Sequence, residues 1–386
     1  LSNTWRDGPF RLPAPCRTRK KQQQQPACFT REDVMPRLLA PLLLALLPAL
    51  AQAEDLIRVY NWNDYIAPQV LEDFRKETGI RVEYRTFSSA EELDKALAGG
   101  EAIDVAVPSH NDLPRLIKDR RLQPLDFAQL PNRQHLDKQL LSKLAAMDPN
   151  NQHAVPYLWG AVGLAVNTPQ AEKAFGGPLP HSWSLLFDAE QSARLGQCGI
   201  SLLDAPDETL AVLLNYQGRN LARSAPSRLK RSAETLDALR PNLRYIDSER
   251  YITDLNAGTL CVAMAWVGDA LNAAAAGQPV TFMVPDEGSV LFIDNLVIPS
   301  SAKRADLAHR FIDYMLRPQV AAKITSATLY PNGNADARQY LDETLRNQPG
   351  LYPDKDTKRR LFPVEPVPDK LSATRDEVWA AFREGK

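Results

Sequence analysis

The chain has 386 residues, with 46 Lys and Arg against 47 Asp and Glu, and 44% of its residues are hydrophobic. That length supports two domains with full cores. The near-neutral balance excludes the global field that drives binding to nucleic acid or to a membrane surface, so recognition of a charged partner must come from local placement.

Leu1 to Val34 carries no hydrophobic periodicity, includes Pro13 and Pro15, and contains the run Lys20-Lys21-Gln22-Gln23-Gln24-Gln25. Residues 1–34 read as upstream sequence or a disordered leader outside the fold. Met35 opens a different pattern. Arg37 supplies one positive charge, Leu38 to Leu50 is an apolar run, and Ala51-Gln52-Ala53 is an A-x-A cleavage site. Residues 35–53 therefore read as a secretory signal peptide cut after Ala53. The competing reading, a spanning helix, fails because the run is short and broken by Pro41 and Pro48. The mature chain, from near Glu54, is expected to be exported. It retains Cys198 and Cys261, an even pair that in an oxidising compartment is a disulfide candidate, with two buried thiols as the alternative. No Cys/His spacing suggests a metal, and no cofactor is expected.

From Leu56 onward strands and helices alternate. Ile57 to Asn61 is a short apolar strand; Pro68 opens a helix that Gly79 ends. Ile80 to Phe87 alternates with period two and reads as a strand. Ser88 and Glu91 form a capping box for the next helix, which stops at Gly99-Gly100. Ile103 to Pro108 is a third strand and Asn111 to Asp119 a third helix. A second series follows Pro156, with strands at 159–167, 199–203, 259–266, 280–285 and 290–299. Helices are expected at 207–216, 269–276, 305–316 and 319–326. This is an α/β pattern of mostly parallel sheet covered by helices. It suggests two α/β lobes, 54–155 and 156–279, with 280–325 returning to the first lobe and the C-terminal helices of 326–386 on the second. Such a design puts a cleft between the lobes and a hinge behind it.

Ligands in open α/β sheets sit beyond the carboxyl ends of strands. Trp62-Asn63-Asp64-Tyr65 and Ser109-His110-Asn111 follow strands of the first lobe. Asp204-Ala205-Pro206-Asp207-Glu208 and Trp266-Val267-Gly268-Asp269 follow strands of the second, Phe292-Ile293-Asp294 lies inside a late strand, and Tyr330 follows the last helices. These are acids, aromatics and small polar groups, with no Lys or Arg. Carboxylates only accept hydrogen bonds and an alkylammonium only donates them, while aromatic faces attract ammonium groups and cover methylenes. A linear diamine presents both kinds of surface. Plainer roles exist for each residue: Asp204 as a helix cap, Glu208 and Asp269 as first-turn acids facing the helix dipole, Trp62 and Trp266 as core. Asp294 resists one, because a carboxylate within Val290 to Ile298 would cost several kcal/mol unless partnered.

Several stretches resemble the periplasmic polyamine-binding proteins of ABC importers, especially their putrescine-binding branch. They are Tyr60-Asn61-Trp62-Asn63-Asp64-Tyr65-Ile66-Ala67-Pro68, Val107-Pro108-Ser109, Cys198 to Pro206, Tyr251 to Leu255, Cys261 to Asp269 and Tyr314 to Pro318. The resemblance implies a type II periplasmic-binding fold whose lobes close on the ligand. It implies a site of Trp62, Asp64, Tyr65, Ser109, Glu208, Trp266, Asp269, Phe292, Asp294 and Tyr330, and a Cys198–Cys261 disulfide. Asn63 and Asn111 would also line the cleft, where smaller hydroxyl residues are usual, and they leave the exact diamine open. Phe292 favours a shorter ligand than the Trp that spermidine-preferring relatives tend to carry. The expected partners are a polyamine and an inner-membrane permease, with the protein a monomer and no nucleic acid bound. The rivals are a hydrolase using Asp269 and Asp294, the same fold binding another cationic amine, and a polyamine sensor. The hydrolase lacks any nucleophile elbow, HExxH, P-loop or dinucleotide fingerprint.

Overall fold

The computed structural model describes residues 55–385. The expected leader, signal peptide and cleavage point lie outside them. Among the described residues there are ten strands: β1 (Leu56–Trp62), β2 (Arg81–Phe87), β3 (Val105–Ala106), β4 (Ala154–Asn167), β5 (Ile200–Leu202), β6 (Leu243–Ile246), β7 (Val262–Trp266), β8 (Val280–Met283), β9 (Ser289–Val297) and β10 (Leu361–Pro363). Eight helices matter for the site: α1 (Pro68–Thr78), α2 (Ala90–Ala98), α3 (Leu113–Lys118), α4 (Pro206–Tyr216), α5 (Val267–Ala275), α6 (Ala305–Met315), α7 (Pro318–Thr328) and α8 (Asp369–Glu384).

Local chemistry explains the first elements. Pro68 starts α1, Val70 and Phe74 are its buried face, and Gly79 ends it at φ 72°, its N–H bonded to Arg75 O. The capping box of α2 sits one residue later than the sequence suggests. Ser89 accepts from Glu92 N–H, and the Glu92 carboxylate reaches back to Ser88 N–H at 2.9 Å. Ser88-Ser89 and Glu91-Glu92 offer two registers, and the helix takes the second.

The strand order is β2-β1-β3-β9-β4-β7-β5-β6, with β10 beside β9 and β8 beside β4. Strand β1 runs parallel to β2 and β3, and β5 parallel to β6 and β7. Strands β4 and β9 run antiparallel to each other and to their neighbours β7 and β3. The sheet is thus less parallel than expected, because one strand leaves the first lobe while the other returns to it. All fourteen residues of β4 are buried, and the strand serves both lobes: Ala154–Ala161 pairs with β9 and Val162–Val166 with β7. Strand β10 lies parallel to Ser289–Leu291, so the chain passes between the lobes a third time.

One core gathers Ile57, Val70, Phe74, Phe311, Ile312 and Ile324. Another gathers Val162, Leu202, Leu213, Leu236 and Val262. Tyr330 and Leu351 share the first core with Val267 and Leu271 of α5, and residues from Phe362 to Phe382 pack on the second. Cys198 and Cys261 form a disulfide with Cα atoms 5.6 Å apart, which removes the alternative of two free thiols. No helix among the described residues is long and apolar enough to cross a membrane.

Candidate functional site

Asp294 lies in β9, every residue of which is buried, and its own exposure is 5%. Tyr65 donates its hydroxyl to one carboxylate oxygen at 2.7 Å and Ser109 donates to the other. Both donors come from loops at strand ends of the first lobe. A backbone bridge between Ser109 and Asp294 fixes the second loop against β9. Tyr65 is held in turn through its carbonyl, which accepts the Tyr157 hydroxyl at 2.7 Å. Burial pushes the Asp294 carboxyl up to about 6, against the lowering effect of the two hydroxyls.

Asp269 occupies the first turn of α5 and is half-buried. Tyr251 and Tyr330 donate to its two oxygens, Tyr330 at 3.0 Å. Burial raises this carboxyl to about 6 as well. Tyr330 reaches it because residue 268 is glycine: a Cβ there would stand 2.2 Å from the Tyr330 ring. The rings of Tyr65 and Tyr330 meet edge-on with centroids 5.0 Å apart, and Phe292 packs on Tyr330 at 6.0 Å. Gly160 of β4 makes room for Phe292, whose ring would be 2.6 Å from an added Cβ. Tyr65 on Asp294 and Tyr330 on Asp269 thus meet each other, with Phe292 beside Tyr330.

The second acidic group starts α4. Asp207 is met by Arg375 of α8 at 2.7 Å. Asp204 accepts from Trp379 Nε1 at 2.9 Å and pairs with Arg383. Asp204 is therefore a tie to the C-terminal helix, not a cap; the capping position belongs to Ala205, without a side-chain bond. Glu208 is half-buried and pairs with no Lys or Arg among the described residues. Burial raises it to about 7, with the charges of Asp207, Asp112 and Asp294 adding to the effect.

The remaining expected residues are less uniform. Trp266 is half-buried at the start of α5 and packs at the edge of both cores. Trp62 is half-buried with its ring 4.4 Å from Phe87, and its Nε1 is buried without a partner. Asp64 is exposed, at φ 51°, and its charge bears on Asp269. Asn63 is exposed and engages Phe87 O through its backbone N–H at 3.1 Å. Asn111 is half-buried in a short 3-10 turn, His110–Asp112. His110 is a buried neutral ring: Nδ1 accepts from Ile293 N–H at 3.3 Å, and burial lowers its pKa to about 4.

Two residues escaped the sequence reading. Tyr251 lies in a stretch that carries the resemblance, but nothing local marks it as a partner of Asp269. Asp112 ends the loop that begins at Ser109, one place beyond Asn111. Burial raises its carboxyl to about 6, with the charge of Asp207 adding to the effect. The whole arrangement is acceptors and aromatic rings, which can hold a cation with an apolar body.

A sequence model of the bacterial extracellular solute-binding proteins matches residues 69–352. The chain belongs to that family. Among these solute-binding proteins, the putrescine-binding periplasmic protein SpuD of Pseudomonas aeruginosa is 38% identical over 90% of this chain and 98% of its own. The putrescine-binding periplasmic protein PotF of Escherichia coli is 38% identical, over 87% of this chain and 94% of its own. A solved spermidine/putrescine ABC transporter protein of Listeria monocytogenes superposes with a TM-score of 0.78 at 29% identity, covering 86% of this chain and all of that one. The fold is that of periplasmic solute-binding proteins, and membership in a family of transport components sets the hydrolase reading aside.

Proposed function

We propose that this chain is the periplasmic receptor of an ABC importer and captures a small polyamine, with putrescine favoured. The observation that carries this is the pair Asp269 and Asp294. Each takes two hydroxyl donors but no base among the described residues, and the two are joined by the rings of Tyr65, Tyr330 and Phe292. A buried carboxylate needs a counter-charge to ionise, and an ammonium supplies one.

Asp269 and Asp294 hold one ammonium, with Asp64 adding charge beside Asp269. Glu208, which lacks a basic partner among the described residues, stands ready for the other. Trp62, Tyr65, Trp266, Phe292 and Tyr330 cover the methylenes, and Asn63 and Asn111 stand at the margin. Closure of the lobes about the three passes would desolvate the ligand and form the surface read by the permease. Micromolar affinity needs about −8 kcal/mol, within reach of a few charge-assisted bonds and one covered alkyl chain. The names of the relatives at 38–39% identity, all putrescine binders, support the ligand class. Relatives at 33% are named for spermidine and putrescine together.

Calorimetry with putrescine, cadaverine, agmatine, spermidine and spermine tests the reading; no heat with any of them at neutral pH overturns it. Periplasmic location and cleavage after Ala53 belong to the same proposal. The mass of the chain recovered from the periplasm checks them.

A further inference from the structure

Behind the candidate site the molecule holds a second cavity, of about 520 Å³, that none of the acids described above lines. The β4/β9 ribbon separates the two. Trp159, Gly160 and Ala161 of β4 pair with Ile293, Phe292 and Leu291 of β9, and side chains alternate between the faces of such a ribbon. On one face Phe292 packs on Tyr330 and Asp294 accepts from Tyr65. On the other, Trp159 and Ala161 gather with Leu291 and Ile293, and Phe282 and Val284 pack against them. Trp159, Ala161, Phe282 and Val284 line one side of the cavity, and the segment 347–360 lines another.

That volume suits a small molecule, and the lining supplies two kinds of contact. Trp159, Phe282 and Tyr352 offer aromatic surface, and the Arg338 guanidinium lies 4.4 Å from the centre of the Tyr352 ring. Arg360 is the one Lys or Arg among the described residues that line it. Its guanidinium is under-committed. Nε is buried without a hydrogen-bond partner, and the ion pair with the largely exposed Asp286 is long, at 3.6 Å. A buried donor left without an acceptor is costly, so the position calls for one. The backbone of Arg360 is fixed by its neighbour, since Leu361 pairs with Ser289. Asp354 also lines the cavity, and together with Asp286 it disfavours a doubly charged anion.

We propose that this cavity binds a small monocarboxylate with a flat apolar body, of the arylacetate kind. Its carboxylate lies on Arg360 and its ring against Trp159, Phe282 and Tyr352. A guanidinium meets a carboxylate through two parallel N–H donors, and Nε can serve as one of them. The site stands apart from the polyamine reading. The two ligands occupy opposite faces of the ribbon, so the protein holds both at once.

The probe is 4-fluorophenylacetate, followed by fluorine NMR with the whole mature protein. Binding is expected with a Kd of about 0.1–1 mM, the range for a part-open site with one charge-assisted anchor. The corresponding amide keeps the ring and loses the charge, and should bind at least about tenfold more weakly. That comparison is read on the unaltered protein. Arg360→Gln should weaken the acid by a similar factor, and so should Thr357→Trp, which keeps the guanidinium and fills the mouth. Melting temperature and putrescine affinity, the latter within about twofold of the unaltered protein, check that both variants fold. No broadening with about 10 mM probe overturns the inference, as does equal binding of the amide. Unchanged binding in either folded variant, or displacement of the probe by putrescine, overturns it too. A protein that takes the probe but no polyamine ends the proposed function and leaves this site standing.

Discussion

Tyr330 donates its hydroxyl to Asp269 at 3.0 Å across the bare backbone of Gly268, in the core it shares with Val267 and Leu271 of α5. The contact exists only because position 268 carries no Cβ. Gly268→Ala should push the Tyr330 ring off α5 and weaken putrescine binding, and Tyr330→Phe should weaken it by about 1–2 kcal/mol through loss of one charge-assisted bond. Titration calorimetry on both variants checks this. Equal loss of fold and affinity in Tyr330→Phe would argue for a purely structural ring.

Asp294→Asn should separate affinity from stability. The amide keeps the shape and removes the charge that a cation would answer, so binding should fall by about 2–5 kcal/mol. The ligand-free protein should be no less stable, since a buried group that resists ionisation has been made neutral. Melting curves with and without putrescine measure both quantities. A large drop in the melting temperature of the ligand-free variant would contradict the assignment.

Acid should loosen the ligand. Asp269 and Asp294 are raised to about 6 and Glu208 to about 7, all by burial first. Each is above its unfolded value near 4, so the folded protein holds more protons than the unfolded chain between about pH 4 and 7. Ligand-free stability is then fullest at the acid end of that window and falls as pH rises through it. Amine binding requires the ionised forms, so affinity should run the opposite way, rising from about pH 5 to about pH 8 with release of protons. The groups that set these values are Asp64, Tyr251 and Tyr330 around Asp269, Ser109 and Tyr65 around Asp294, and Asp207, Asp112 and Asp294 around Glu208. Calorimetry in buffers of different ionisation heat counts the protons; pH-independent affinity across the window would sink the idea.

Reduction of Cys198–Cys261 should lower stability without touching the ligand contacts. The bond spans a sequence separation of 63, for which the chain-entropy model gives about 4 kcal/mol. Unfolding of the Cys198→Ser, Cys261→Ser double variant against the oxidised protein measures it. Putrescine affinity should stay within about twofold, because the sulfurs lie against Leu195 O and Gly199 O and take no part in the hydrogen bonds of the candidate acids.

What was legible in the sequence follows from how locally each feature is decided. Helix α1 announces itself through Pro68 and Gly79. Asp294 announces itself because a carboxylate inside an apolar run has no cheap explanation. The helix Pro226–Leu239 was missed, since few apolar side chains, chiefly Leu229, Leu236 and Leu239, reach the core and the rest reads as polar loop. The register of the α2 cap was ambiguous because adjacent serines and adjacent glutamates compete. Tyr251 and Asp112 were not readable at all. Tyr251 is notable for its bond to Asp269 and Asp112 for its burial, and composition near either residue carries no trace of it. The same is true of Asp204, whose role is set by Trp379 and Arg383 near the other end of the chain.

The route of the chain also constrains the order in which it folds. The first core needs Ile57 and Val59 together with Phe311, Ile324 and Leu351, while the second waits for Trp379 and Phe382 to cover it. Neither half can finish as the polypeptide emerges, so an early stop codon even a few dozen residues short would strip α8 from the acids of α4 and leave apolar surface bare. A nascent chain of this design cannot complete either native core until most of it has been made, and a chain short of its native packing is the one that can still be threaded through a narrow pore.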